Sequence, residues 1–198
     1  MQAGLPIRAR LWHDYGQMRQ NPRPDRTPKP LTTAALNEMA LRYVARFATS
    51  AAKLEAYLLR KIRERGWEGD GHAPVSALVE RFVAAGYVDD EVYARSKTGS
   101  LLRRGYGKRR IDQTLGAAGI AVEVREAVAA GEGDLRRAAL ALARKRRFGP
   151  FGKAKQDRAL SEKQLAAMLR AGHRLDMARE LVNSSSIEAA ELWAAGDE

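Results

Sequence analysis

Apolar residues recur along most of this chain with a period near 3.6, in short bursts separated by glycine, proline and capping residues. From Thr33 onward, Leu36, Met39, Ala40, Tyr43, Val44 and Phe47 fall at i, i+3, i+4, i+7, i+8 and i+11, one stripe of an amphipathic helix. Thr49-Ser50 interrupts the stripe and caps a second helix with Leu54, Tyr57, Leu58 and Ile62 on its apolar side, which stops at Gly66. A polar loop from Glu68 to Pro74 leads to a third stripe, Val75, Leu78, Val79, Phe82 and Val83, ending at Gly86. Alternation of period two is missing and β-branched residues never cluster, so the pattern predicts an all-α protein.

The same order of stripes then returns. Asp89-Asp90-Glu91 opens a helix as caps and first-turn acids, which breaks at Gly105-Tyr106-Gly107 and resumes with Ile111 and Leu115 inward as far as Gly119. Phe82, Tyr87 and Tyr93 sit at helical spacing and are expected in the core. Val122 to Val128 supply a short third helix. After Gly131-Glu132-Gly133 a further helix carries Leu135, Ala138, Ala139 and Leu142 inward, and Ser161-Glu162-Lys163-Gln164 reads as a capping box before Leu165, Met168 and Leu169. A last stripe runs through Leu175, Ala178, Leu181 and Val182. Laying 50–66, 107–119 and 161–172 over one another matches Leu54, Ile111 and Leu165, then Leu58, Leu115 and Leu169, each segment closing on glycine. A weak repeat of about fifty residues predicts tandem three-helix units forming an elongated curved array, because each unit alone buries too little and is covered by its neighbour. The expected division is an arm over 1–33, repeats over 34–88, 89–133 and 134–183, and an acidic tail over 184–198, with one frayed turn around Ile187 to Trp193.

Charge changes the picture of what such an array would hold. The 198 residues carry 35 Lys and Arg against 24 Asp and Glu, a formal net charge of +11, which favours an anionic partner. Residues 101–110 hold five basic side chains and no acid, and residues 136–158 hold nine with Asp157 as the one acid. Residues 175–198 reverse the sign, with six acids and one base. Five of the seven prolines lie in 1–33, so that segment reads as a disordered, flexible, basic arm, in which Trp12 and Tyr15 could pack on the body or stack on a base. The chain has no cysteine, which removes disulfides, thiolate nucleophiles and thiolate metal sites. No apolar run reaches the roughly 20 residues of a membrane span, and the first thirty residues lack a secretory apolar core, so a cytoplasmic monomer is expected.

The leading candidate for partner or nucleic-acid binding is Arg103, Arg104, Tyr106, Lys108, Arg109 and Arg110, where two glycines flank an aromatic and would bring the backbone close to a partner. The competing reading is a solvated helix–helix turn, with Arg109 or Arg110 laying its stem over the core. Arg144, Lys145, Arg146 and Arg147 form the second candidate, and four consecutive cations on a helix cannot all share a face. Catalysis is not expected. Gly105-Tyr106-Gly107-Lys108 lacks the spacing and the following hydroxyl of a phosphate loop, and His13, His72 and His173 have no second ligand at metal-site spacing. No cofactor or metal is implied.

Gly86-Tyr87-Val88-Asp89-Asp90-Glu91-Val92-Tyr93-Ala94, followed by Arg103-Arg104-Gly105-Tyr106-Gly107-Lys108-Arg109-Arg110-Ile111, Leu115 and Gly119-Ile120, resembles the central block of the RecX family, bacterial regulators of the RecA recombinase. The resemblance is dense over 86–120 and loose in the third repeat. It implies a crescent of three-helix repeats that binds the RecA filament along its groove and restrains strand exchange, ATP hydrolysis and co-protease activity, with weak, nonspecific binding of single- or double-stranded DNA. A second reading is a stand-alone DNA binder using helix-turn-helix-like repeats, nonspecific because no unit offers a base-reading set of side chains.

Overall fold

The computed structural model describes residues 29–152 and 157–196. Most of the expected arm, with Trp12 and Tyr15, therefore lies outside the described residues. The elements are α1 (Thr33–Arg46), α2 (Ala51–Arg65), α3 (Val75–Ala84), α4 (Asp90–Arg103), α5 (Lys108–Ala117), α6 (Val122–Ala127), α7 (Glu132–Arg146), a 3₁₀ turn (Gly149–Phe151), α8 (Arg158–Arg170), α9 (Leu175–Val182) and α10 (Ile187–Ala195). The described residues are helix and loop, apart from one isolated parallel bridge between Leu31 and Trp67.

Local chemistry sets the helix ends. Thr32, Ser50, Asp89, Asp157 and Ser186 each accept a hydrogen bond from the backbone N–H three residues on, satisfying one of the free donors of a first turn. At the other ends, Tyr87 N–H donates to Phe82 O, Tyr106 to Leu101, Ile120 to Leu115, Phe148 to Ala143 and His173 to Met168, at 2.9 to 3.2 Å. These are the six-to-one bonds of a Schellman stop. They also give the repeat its register: Leu101 corresponds to Ala143, and Leu115 to Met168.

The described residues bury three separate cores, one per unit. Leu36, Leu54, Leu58, Leu78 and Phe82 centre the first; Tyr93, Leu101, Ile111 and Leu115 the second; and Leu142, Met168, Leu181 and Val182 the third. Each fully buried leucine contributes about 1.5–3 kcal/mol over an exposed one. Three small cores in a row are the stacked architecture that the sequence repeat predicts.

Four expectations differ from the structure. Leu31 is not arm: it is fully buried, its N–H donates to Gly66 O at 2.9 Å and its carbonyl accepts from Glu68 N–H at 3.1 Å, closing the outer end of the first core. Ser161 is not a cap. Helix α8 begins a turn earlier at Asp157, which accepts from Leu160 N–H at 2.7 Å, and the register of the third repeat moves by one, so that Gln164 and Met168 are buried while Leu165 and Leu169 are half-buried. Residues 184–198 are more than an acidic tail. Ser186 caps α10, whose Ala190 and Ala194 are buried and whose Trp193 packs on the third core, with the Arg136 guanidinium 5.2 Å from its ring centroid. Tyr87 is not core either; it is 59% exposed, leaning on the buried Phe82.

Alongside the packing of α4 on α7, hydrogen bonds at the ends of the middle helices join the units head to tail. The start of α2 rests on the end of α5, where Ser50 Oγ donates to Ala118 O at 2.6 Å, and on the start of α4, where Ala51 N–H donates to Asp90 Oδ1 at 2.8 Å. The start of α5 rests in the same way on the last turn of α8, with Gly107 N–H donating to Ala171 O at 3.0 Å and Arg109 N–H to Gly172 O at 3.2 Å.

Candidate functional site

At the second of these joints the ends of α4 and α7 converge over α8. Between them lies a cavity of about 390 Å³ lined by Arg104, Tyr106, Lys145, Arg146, Phe148 and Arg170, with Leu142, Ala167 and Ala171 as its floor. No acid lines it. A shallower extension past Phe148 adds Arg147 and Lys163. The Arg104 guanidinium lies 5.3 Å from the Tyr106 ring centroid, a cation–π contact that positions it in the groove. Arg104, Lys145, Arg146, Arg147, Lys163 and Arg170 form no ion pair with any described acid. Their uncompensated charge over an apolar floor produces a local positive potential, strengthened by the low-dielectric walls.

The groove draws together one part of each basic run. From the first run Arg104 and Tyr106 enter it. Arg103 is exposed with its guanidinium back towards Gly99, and Arg110 is exposed on α5. Lys108 pairs with Asp112 at 2.8 Å, and Arg109 Nη2 donates to Leu169 O at 2.6 Å, so Arg109 ties the joint by satisfying a carbonyl at the end of α8. From the second run Lys145, Arg146 and Arg147 reach the groove, whereas Arg144 turns away to pair with Glu191 of α10 and to lie 5.8 Å from the Phe151 ring. Rotation of 100° per residue separates Arg144 from Arg146.

The flanking glycines serve the protein's own joint, which corrects the expectation of a close approach by an outside partner. A methyl group on Gly105 would lie 2.9 Å from the backbone nitrogen of Leu142, and one on Gly107 would lie 2.4 Å from the carbonyl of Gly172. Close passage of these chains is what sets α4 beside α7 and so shapes the groove.

Arg170 and Lys163 were not among the candidates. They lie seven residues apart with Ala167 between them on one face of α8, a spacing that marks a shared cationic face. Behind the groove floor His173 is 5% exposed and its Nε2 is 3.0 Å from Gly105 O, which fixes a proton on Nε2. Burial lowers its pKa below the ordinary histidine value, against the opposing effect of the Gly105 bond, so the ring adds no charge to the groove at neutral pH.

The comparisons agree with this architecture. The sequence model of RecX, second three-helix domain, matches residues 89–128. A Regulatory protein RecX of Myxococcus xanthus is 33% identical over 179 residues, covering 86% of this chain and 96% of that protein. A Regulatory protein RecX of Agrobacterium fabrum is 32% identical over 162 residues, 80% of this chain and 86% of that one. The crystal structure of RecX from Lactobacillus salivarius aligns with a TM-score of 0.61 at 17% identity, over 81% of this chain and 97% of that one, a likeness of fold. With stacked three-helix units, a dense central block and full-length relatives in agreement, the chain belongs to the RecX family of regulatory proteins.

Proposed function

We propose that this chain binds a RecA-type recombinase filament and restrains its strand exchange, ATP hydrolysis and co-protease activity. The observation that carries the reading is the groove at the second joint, where cations from two units and from three helices meet without an acid. A nucleoprotein filament offers acidic side chains and exposed phosphates together, and arginine serves both through its planar fork. The groove holds cations, aromatics and alanines, groups suited to binding. Placement in the cytoplasm, as a monomer, follows from this reading; no described helix is long and apolar enough to cross a membrane.

The test is to reverse charge where no ion pair with a described acid is lost and the contact given up is that of Arg104 with the Tyr106 ring. Arg104→Glu, Arg146→Glu and Arg170→Glu together should leave helicity by circular dichroism unchanged and abolish inhibition of recombinase ATPase and strand exchange on single-stranded DNA. Normal inhibition by the triple variant would remove the groove from the interface. DNA affinity that is tight for the parent protein, with no response from the recombinase at saturation, would favour the stand-alone DNA binder instead.

A further inference from the structure

The repeat register locates the groove's counterpart in the first unit. Thr32 and Asp89 both cap first helices of equal length, and Ser50 and Gly107 both start middle helices on the carbonyl of a conserved joint geometry, Ala118 O and Ala171 O. By that register the groove cations Lys145 and Arg146 correspond to Arg103 and Arg104 in the second unit, and to Arg46 and Phe47 in the first. On the middle helices Lys163, Ala167 and Arg170 correspond to Lys53, Tyr57 and Arg60. The second unit has Arg110, Thr114 and Ala117 at these positions, so the pair of middle-helix cations recurs in the first and third units and only its first member in the second.

In the first unit this face is also aromatic. The Tyr43 and Tyr57 rings stack at 4.2 Å and 16°, Phe47 lies 5.3 Å from Tyr43 at 50°, and the Arg60 guanidinium lies 5.7 Å from the Tyr57 ring centroid while its Nε is 3.6 Å from Glu64 Oε1. Phe47, at the outer end, is 54% exposed. Arg46 beside it is exposed and forms no ion pair with a described acid. The exposed ring packs at an angle on a stacked pair, with Arg46 next to it in the chain and Arg60, shared with Glu64, at the Tyr57 ring, so one ladder carries an open π face and two cations.

We propose that this ladder is a stacking platform for single-stranded nucleic acid, with an unpaired base on Phe47 and phosphates of the same strand on Arg46 and, further along the ladder, Arg60. Duplex bases are already stacked and offer Phe47 no face, whereas an acidic peptide would use the two arginines and leave the ring idle. The platform stands apart from the groove and requires nothing of the recombinase reading.

Fluorescence anisotropy with the full chain, a labelled thirty-nucleotide oligo-dT and a duplex of the same length tests it across a salt series. Phe47→Ala, an exposed change, should weaken single-strand binding about 5- to 150-fold, the range for one lost base stack, with duplex binding unaltered. Its slope of log K against log salt should match the parent's, because a ring releases no counterions, and Phe47→Trp should restore affinity. Arg60→Gln should instead lower the slope by about one. Equal loss on both DNAs, or no loss on the single strand, overturns the proposal. So does loss of recombinase inhibition with DNA affinity intact, which would assign Phe47 to a protein surface.

Discussion

The two joints use the same positions of the repeat and different chemistry. At the first, between α2 and α5, side chains make the connection: the Ser50 hydroxyl reaches Ala118 O, the Asp90 carboxylate receives Ala51 N–H, and Ile120 fills the space behind. At the second, between α5 and α8, backbone meets backbone through Gly107 and Gly172, and the residue corresponding to Ile120 is His173. Replacing the Ser50 side chain with glycine at position 107 lets the chains approach to bare-backbone distance. Gly119 is as necessary at the first joint, where a methyl group would lie 2.2 Å from Ala52 Cβ, so the difference between the joints rests on Gly107, and the groove lies at the joint where backbone meets backbone.

Breaking that closeness should have the largest effect. In Gly172→Ala the new methyl would lie 2.4 Å from Arg110 N, a backbone atom that cannot swing aside, at a φ of +96° that side chains disfavour. Overpacking of about 1–3 kcal/mol and a left-handed penalty of about 1–2 kcal/mol give an expected loss of about 2–5 kcal/mol in urea unfolding. Gly116→Ala, in the same α5 but 3.6 Å from only the movable Arg125 guanidinium, should instead stabilise by up to about 1 kcal/mol. If both changes behave alike, close passage is not what holds the second joint.

The first joint should fail through hydrogen bonding instead. Ser50 is fully buried, caps α2 by accepting from Lys53 N–H at 3.3 Å, and donates across the joint. Ser50→Ala removes both bonds and strands Ala118 O, an expected cost of about 1–3 kcal/mol by the same measurement. Loss below about 0.5 kcal/mol would mean that the hydroxyl bond adds little there.

The contrast between the joints also explains which features were legible in the sequence. Helix ends were, because Ser50, Asp89, Gly86 and Gly119 act through local backbone chemistry that a short window contains. The third repeat misled. Ser161-Glu162-Lys163-Gln164 has the letters of a capping box, yet Asp157 caps earlier, and the buried counterpart of Ile111 is Gln164, whose Oε1 receives Gly149 N–H at 2.8 Å. A glutamine chosen for a tertiary bond looks polar in any periodicity argument. The groove was half legible. The basic runs pointed to it, but only the packing of α4, α7 and α8 shows that Arg146 joins it, that Arg144 pairs with Glu191, and that Arg170 belongs.

His173 sharpens the comparison through pH. Its folded-state pKa is lowered, first by burial, so the folded protein binds fewer protons than the unfolded chain below the unfolded value of about 6.5. Stability from this residue is full above that pH and is lost as the pH falls from there towards the folded pKa. His173→Ile, which copies the first joint, should remove this component of the acid slope in thermal unfolding between pH 7 and 5. A variant with the parent's slope would place the sensitivity elsewhere.

The smallest effect separates stability from binding at the groove itself. Among the described residues Arg147 alone is a non-glycine at positive φ, 57°, and its counterpart one unit earlier is Gly105 at 82°. At such a helix stop glycine avoids the clash of Cβ with the following carbonyl, which costs other residues about 1–2 kcal/mol. The arginine forms no ion pair with a described acid that would offset this, and it lines the extension of the groove. Its side chain is retained at a position where the backbone favours none, as expected if it contacts the partner. Arg147→Gly should therefore raise stability by about 1 kcal/mol in urea unfolding while weakening recombinase inhibition, and Arg147→Lys, which keeps both the strain and the charge, should change neither by much. A glycine variant that is more stable and inhibits as well as the parent would leave the strained stop without a role in binding.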